Sequence, residues 1–255
     1  FGSRGSLVRV QSPRPHSLVH MKTFKYYDFV MASFVAVLLL SNIASSAKII
    51  DWNTDIFGLR LAFDAGTLLF PLSYIFGDIL TEVYGYARAR KVIWTGFLWS
   101  AIMAGVFFVI QKMPGESEWL GYAGNEAYAS ILGGVSTGGI IVASLCAYFV
   151  GEFSNSYVLA KMKIASAGKK LWARTIGSTL IGQALDTTVF ILIACALGVF
   201  PWAIAVSLIV ANYIFKVGIE VILTPATYKV VGFLKKAESE DYYDKGTDFN
   251  PFYCK

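Results

Sequence analysis

Along the chain, apolar runs of about 20 residues alternate with short polar connections, and that length lets a helix cross the hydrocarbon core of a bilayer. The runs fall at about 27–47, 65–84, 91–110, 128–150, 173–197 and 202–223, the last extending past Pro225. Between the first two, residues 48–64 mix Ile49, Ile50, Ile56, Leu59, Leu61 and Phe63 with Asp51, Asp55, Arg60 and Asp64 around Asn53, Thr54 and Gly58. This predicts a short hairpin outside the membrane. The whole pattern predicts an all-α polytopic membrane protein with six transmembrane helices in one domain, residues 21–236, and a polar cytoplasmic tail, residues 237–255.

Charge orients the pattern. Lys22 and Lys25 lead into the first run, and Arg88, Arg90 and Lys91 separate the second from the third. Lys161, Lys163, Lys169, Lys170 and Arg174 lie between the fourth and fifth, and Lys229, Lys235 and Lys236 follow the sixth. The loop at 111–126 instead sets Glu116, Glu118 and Glu126 against Lys112. Basic loops stay on the cytoplasmic side, so the N and C termini are both expected there. Composition agrees, since 56% of residues are hydrophobic and 15% charged, against about a quarter charged in soluble domains. The net charge of +5 sits at the ends of apolar runs and forms no basic groove, which implies a lipid bilayer as partner and no nucleic acid.

Residues 1–20 have no apolar period and are rich in Arg, Ser and Pro, so they read as an added leader ahead of Met21. Both histidines, His16 and His20, lie in it. The rest of the chain therefore lacks the usual proton relay, the commonest metal ligand and the histidine-dependent nucleophiles. Cys146, Cys195 and Cys254 have no metal-binding or disulfide spacing. No phosphate-binding loop, zinc-hydrolase motif or nucleophile elbow occurs, so no cofactor and no metal are expected.

The candidate chemistry lies inside the apolar runs. The stretch 70–94, FPLSYIFGDILTEVYGYARARKVIW, places Asp78 and Glu82 one turn apart in a hydrophobic segment, where a carboxylate facing lipid costs about 3 kcal/mol. Both are expected to face a cavity shared with Lys216, and Pro71 is expected to kink or break the run beside it. By helical rise, Gln183, Asp186 and Asn212 come near the midplane and Asn42 in the outer half. Asp78, Lys216 and Glu220 come in the inner half, and Glu82, Glu152 and Asn155 near the cytoplasmic boundary, with Arg174 opening the fifth run. Gln183 and Asp186 are three apart, and Asn212, Lys216 and Glu220 recur every fourth residue, so each set lines one face. Any one of them can act as glue between helices, with Lys216 paired to Asp78 or Glu220 and Asn42 or Asn155 bonding a neighbouring helix. Acids or amides in five runs exceed what packing needs, and transporters hold substrate near the midplane. SNIASSAK (41–48) and SNSYVLAK (154–161) share Ser-Asn and a lysine six residues after the asparagine, compatible with an inverted three-plus-three repeat.

Together with SNIASSAK, the runs FPLSYIFGDILTEVYG (70–85) followed by ARARKVIW, GQALDTTVF (182–190) and NYIFKVGIEVILTP (212–225) carry a resemblance over residues 21–234. The chain resembles the queuosine-precursor transporter family, also described as vitamin-uptake-like transporters. That resemblance implies six helices, the inner (plasma) membrane of a prokaryote, and import of 7-cyano-7-deazaguanine or its aminomethyl relative, bases salvaged for tRNA modification. Such a base has a flat ring with N–H donors along one edge. Asp186 with Gln183 is the expected edge reader, Asn212, Asn42 and Asn155 are secondary contacts, and Phe70, Tyr74 and Phe190 are candidate stacking surfaces. Asp78, Glu82, Glu152, Arg174, Lys216 and Glu220 are the charges expected to couple transport or to hold the fold. Two other readings stay open. One is the substrate-binding subunit of an ATP-driven uptake system, which requires an energising module; the other is an intramembrane enzyme, against which the missing histidines and nucleophile motifs argue. A homo-oligomer is compatible with all of these.

Overall fold

The computed structural model describes residues 23–56, 59–136 and 138–253, and the stretch 1–22 with both histidines, and Cys254, lie outside these. In chain order the elements are α1 (Tyr27–Ala47), β1 (Ile49–Ile56), β2 (Leu59–Asp64), α2 (Phe70–Tyr84), α3 (Tyr86–Lys112), α4 (Ser117–Tyr122), α5 (Gly124–Ser136), α6 (Gly139–Ala165), α7 (Leu171–Ala196) and α8 (Ala205–Glu238). Short 3-10 turns at Ala65–Leu68 and Trp202–Ile204 precede α2 and α8. The two strands form the hairpin expected between the first two runs, antiparallel with Ile49 opposite Asp64.

Among the described residues, five helical stretches are long and apolar enough to cross a membrane: Tyr27–Ala47, Tyr86–Lys112, Gly124–Ala165, Leu171–Ala196 and Trp202–Glu238. The sequence assigns a sixth crossing to α2, which at 15 residues is only about 22 Å long. The 3-10 turn before it, at about 2 Å per residue, brings the pair to about the 30 Å of a hydrocarbon core. Asp64 caps that turn by accepting from the Thr67 N–H at 3.1 Å. Pro71 then falls in the first turn of α2, where its missing N–H costs no helical hydrogen bond, so it starts a helix instead of kinking one.

Almost every residue of α2 from Gly77 to Tyr84 is buried, among α1, α3, α6 and α8. Its acids are tolerated because those helices, not α2, make the outer surface. Leu98, Ile102, Val106 and Val109 of α3 and Val206, Ile214, Val221 and Ile222 of α8 are exposed, forming the belt that a bilayer covers. Tyr74 reaches between α6 and α7, where a Cβ on Gly182 would come within 3.1 Å of its ring.

The fourth run departs most from the pattern. It divides into α5 and α6, and α6 continues for 27 residues to Ala165. Glu152 and Asn155, expected near the cytoplasmic boundary, therefore sit in the middle of a long helix. Neighbouring Gly151 lies level with Asp186, whose Cβ a side chain there would approach to 2.7 Å. Counting apolar residues does not register a break among small ones such as Gly133, Gly134, Gly138 and Gly139.

The chain ends meet at one pole of the bundle, where Glu238 accepts from the N–H groups of Lys25 at 2.9 Å and Tyr26 at 2.6 Å. The polar tail then folds back over the α2–α3 junction. Tyr242 N–H donates to Val83 O at 3.2 Å, Arg90 donates to Asn250 O at 2.7 Å, and the Trp94 indole donates to Pro251 O at 2.8 Å. Gly85, with φ of 87°, makes the turn between the two helices and leaves room for the Tyr242 ring.

Candidate functional site

Three polar layers are stacked through the bundle. The central one walls a narrow cavity. α1 contributes Asn42 and Ser45, the end of β2 contributes Asp64, α2 contributes Phe70, α6 contributes Ser144, α7 contributes Asp186, Thr187 and Phe190, and α8 contributes Asn212 and Lys216. Lys216 Nζ donates to Asp186 Oδ2 at 2.7 Å and lies 5.2 Å from the centroid of the Phe70 ring. Both charged side chains are only 8% exposed, so each is the other's main compensation in a low-dielectric wall. The second oxygen of Asp186 meets no hydrogen-bond donor among the described residues. Thr187 Oγ1, buried in the same wall, is also without a partner among them.

The amides are held by their own helices. Asn42 Nδ2 donates to Leu38 O at 2.9 Å while its Oδ1 accepts from Ser144 Oγ at 2.8 Å, and Asn212 Nδ2 donates to Leu208 O at 2.9 Å. Asp64 accepts from Ser45 Oγ and, at 2.9 Å, from Thr67 Oγ1. Asp64, Ser144 and Thr187 are site residues that reading the runs does not reveal. Asp64 and Thr67 do carry a signal, a capping Asp-x-x-Thr, but it marks a helix start and says nothing of a cavity.

The next layer is built on α7 and α8, which run antiparallel. Glu220 lies level with Thr179 and Gln183 and accepts from both, from Gln183 Nε2 at 2.7 Å, while Lys216 lies level with Asp186. Hence Lys216 pairs with neither Asp78 nor Glu220. Asp78 instead accepts from Asn155 Nδ2 at 2.8 Å, and Asp78 and Glu220 line a second, tighter cleft. Gln183, Asn155 and Tyr74 thus point away from the central cavity. Of the expected contacts, Asp186, Asn212, Asn42, Phe70 and Phe190 are brought together there.

The third layer closes the pole where the chain ends meet. Glu82, fully buried, accepts from Arg174 Nε at 2.8 Å and Nη2 at 2.7 Å and from Lys235 Nζ at 2.5 Å, with Lys163 Nζ at 3.5 Å. Glu82 is therefore not part of a cavity with Lys216, because α2 carries it a full turn beyond Asp78, into a cluster of cations. Lys163 also donates to Asp241 at 2.6 Å and Tyr242 O at 2.8 Å, which ties the tail to the same knot. Burial works to raise the Asp241 carboxyl, but the ammonium groups of Lys163 and Lys235 outweigh it and hold the group below the usual carboxylate range.

At the opposite pole, a vestibule beside the hairpin shares Ser45, Asp64, Ile140, Phe190, Ile191 and Asn212 with the central cavity. Phe63 stacks on Phe215 at 4.4 Å and fastens the hairpin to α8 at its rim. The central cavity thus adjoins the vestibule at one pole, and the Glu82 cluster lies at the other.

Apolar helices around an enclosed ion pair, with a vestibule at one pole and a charged closure at the other, define a multi-pass membrane transporter. The chain belongs to the family described as "Putative vitamin uptake transporter", which matches residues 64–230. It is 28% identical over 179 residues to the "Probable queuosine precursor transporter" of Bacillus subtilis (strain 168), spanning 68% of this chain and 73% of that protein. The protein of the same name from Haemophilus influenzae is 28% identical over 171 residues, spanning 65% of this chain and 67% of the relative. The "Queuosine precursor transporter" of Escherichia coli (strain K12) is 22% identical over 176 residues, spanning 69% and 72%. No solved structure matches the chain.

Proposed function

We propose that this chain imports 7-deazaguanine precursors of queuosine, the cyano or aminomethyl base, across a prokaryotic plasma membrane as a facilitator or a cation-coupled carrier. The observation that carries the reading is the Asp186–Lys216 pair in the cavity wall, with one carboxylate oxygen engaged and the other free of any donor among the described residues. A guanine-type edge sets a carbonyl acceptor beside two N–H donors, so an ammonium next to a carboxylate matches it in order. Phe70 and Phe190, which line the same cavity, suit the flat ring. The names of the relatives support the same substrate class.

The proposed topology has six crossings, with the 3-10 turn and α2 as the second and both termini cytoplasmic. The meeting of Lys25 and Tyr26 with Glu238 supports the last point, since it puts the start of α1 and the end of α8 at one pole. That pole carries Arg88, Lys163, Arg174 and Lys235, as the charge rule asks of a cytoplasmic face. In this frame the vestibule faces outward and the Glu82 knot is the inner closure.

Purified chain reconstituted alone in liposomes is expected to take up labelled deazaguanine without ATP. Uptake that appears only when an ATP-hydrolysing module is added would make the chain a binding subunit and overturn the carrier reading.

A further inference from the structure

Glu152 is used by none of the three layers. It stands at the middle of α6, is 0% exposed, and neither of its carboxylate oxygens has a hydrogen-bond partner among the described residues. Its carboxyl lies against the backbone of α2, where a Cβ on Gly77 would come within 2.8 Å of Oε2. Next to Gly77 is Asp78, and one turn earlier is Tyr74, whose buried hydroxyl is also unpartnered.

Among the described residues, the groups that face Glu152 from the surrounding elements are acidic or neutral. α2 presents Tyr74 and Asp78, α7 presents Asp186 and α8 presents Glu220, while Tyr148 on α6 itself has its hydroxyl engaged by Ile93 O of α3 at 2.8 Å. α1 adds the apolar ring of Phe34 beside Gly77. Lys216, the cation of this region, is held by Asp186, and Arg174, Lys163 and Lys235 are gathered on Glu82. An ionised Glu152 would be a dry carboxylate among other carboxylates with no cation in contact, an arrangement that buried charges do not keep. A neutral carboxyl at that place needs no ion and fits a pocket with a tyrosine hydroxyl and a backbone at hand.

We propose that Glu152 is the exchangeable proton site of this transporter and that its proton couples to movement of the substrate. The proposal rests on the import reading given above. Gly151, the residue before it, packs directly on Asp186, so a shift of α6 that changes the surroundings of Glu152 moves the wall of the central cavity as well. In the cycle, water on the vestibule side supplies one proton to the Glu152 carboxylate, and the closed state carries it as COOH. Opening of the inner pole hydrates the group, which returns the proton to cytoplasmic water and becomes COO− again. With a neutral base, one positive charge moves inward per cycle.

Two measurements on the purified full chain test this. Infrared difference spectra between neutral and alkaline pH are expected to show a protonated-carboxyl C=O band in wild type that is missing in Glu152→Gln and kept in Asp78→Asn. A band absent from wild type, or lost with Asp78→Asn and kept in Glu152→Gln, overturns the proposal whatever the substrate. In liposomes, Glu152→Gln is expected to retain counterflow of labelled 7-cyano-7-deazaguanine and to lose at least tenfold in accumulation driven by an inward proton gradient. Accumulation equal to wild type overturns the coupling. If wild type shows the band but no deazaguanine counterflow, the import reading and the coupling claim fall together, while the proton site on Glu152 stands.

Discussion

Removing Lys216 leaves Asp186 as a lone charge in a wall that water barely reaches, and breaking one side of a buried pair costs about 3–5 kcal/mol. Lys216→Met is therefore expected to lower thermal stability in detergent by that order. Lys216→Met with Asp186→Leu should recover much of it, and Lys216→Met with Asp78→Asn should be additive because Asp78 bonds Asn155 instead. A cycle in which Asp78 couples to Lys216 and Asp186 does not would contradict the pairing. The four-residue spacing of Asn212, Lys216 and Glu220 reveals a shared face but not which helix that face meets, so the partner of Lys216 was not legible in the sequence. Depth along the runs did place Asp186 and Asn212 together near the midplane, with Asn42 in the outer half, because rise per residue is fixed. It missed Asp64, which lies at a hairpin end that a count of apolar residues treats as outside the bundle.

Among elements, the hairpin and the long apolar helices were legible, since each has a local pattern, whereas Pro71, expected to kink the second run, instead starts α2. The tail was not legible, because its contacts join residues far apart in the chain, such as Arg90 with Asn250 and Lys163 with Asp241. Asp241 has its carboxyl held below the ordinary range, so its ionised form favours the folded state. Its contribution is complete above the unfolded carboxylate value of about 4 and fades as pH falls through the lower folded value. The melting-temperature gap between wild type and Asp241→Asn should thus be constant near neutral pH and shrink below about pH 4. The gap itself should be small, because that side chain is 44% exposed and solvent screens the pair. A gap that widens on acidification would show that the tail is not fastened by these charges.

For the whole molecule, with the vestibule beside the cavity at one pole and Glu82 with its cations at the other, the proposed topology says which loops face outside. Cysteines introduced near Glu118 should react with an impermeant reagent from outside, and cysteines near Lys169 should not. The reverse pattern would invert the topology and make the vestibule cytoplasmic. Glu82→Gln is expected to strip the inner closure of the anion that Arg174 and Lys235 share, lowering stability by several kcal/mol and raising substrate-independent exposure of residues at that pole. Labelling of the inner pole left unchanged would assign the knot to packing alone.

Binding of a deazaguanine to Asp186 variants bears most directly on the central claim. Calorimetry with 7-cyano-7-deazaguanine, its aminomethyl relative, guanine and adenine should show tight binding of the deazaguanines to wild type and weak binding of adenine, whose edge has the wrong donor order. Asp186→Ala should lose at least a hundredfold in affinity, about 3 kcal/mol, because the buried N–H groups of the base are left unpaired. Asp186→Asn should lose affinity as well, since it replaces an acceptor with a donor. Near wild-type affinity in a folded Asp186→Ala protein would contradict the account, leaving Asp186 and Lys216 as a structural pair and placing the base elsewhere.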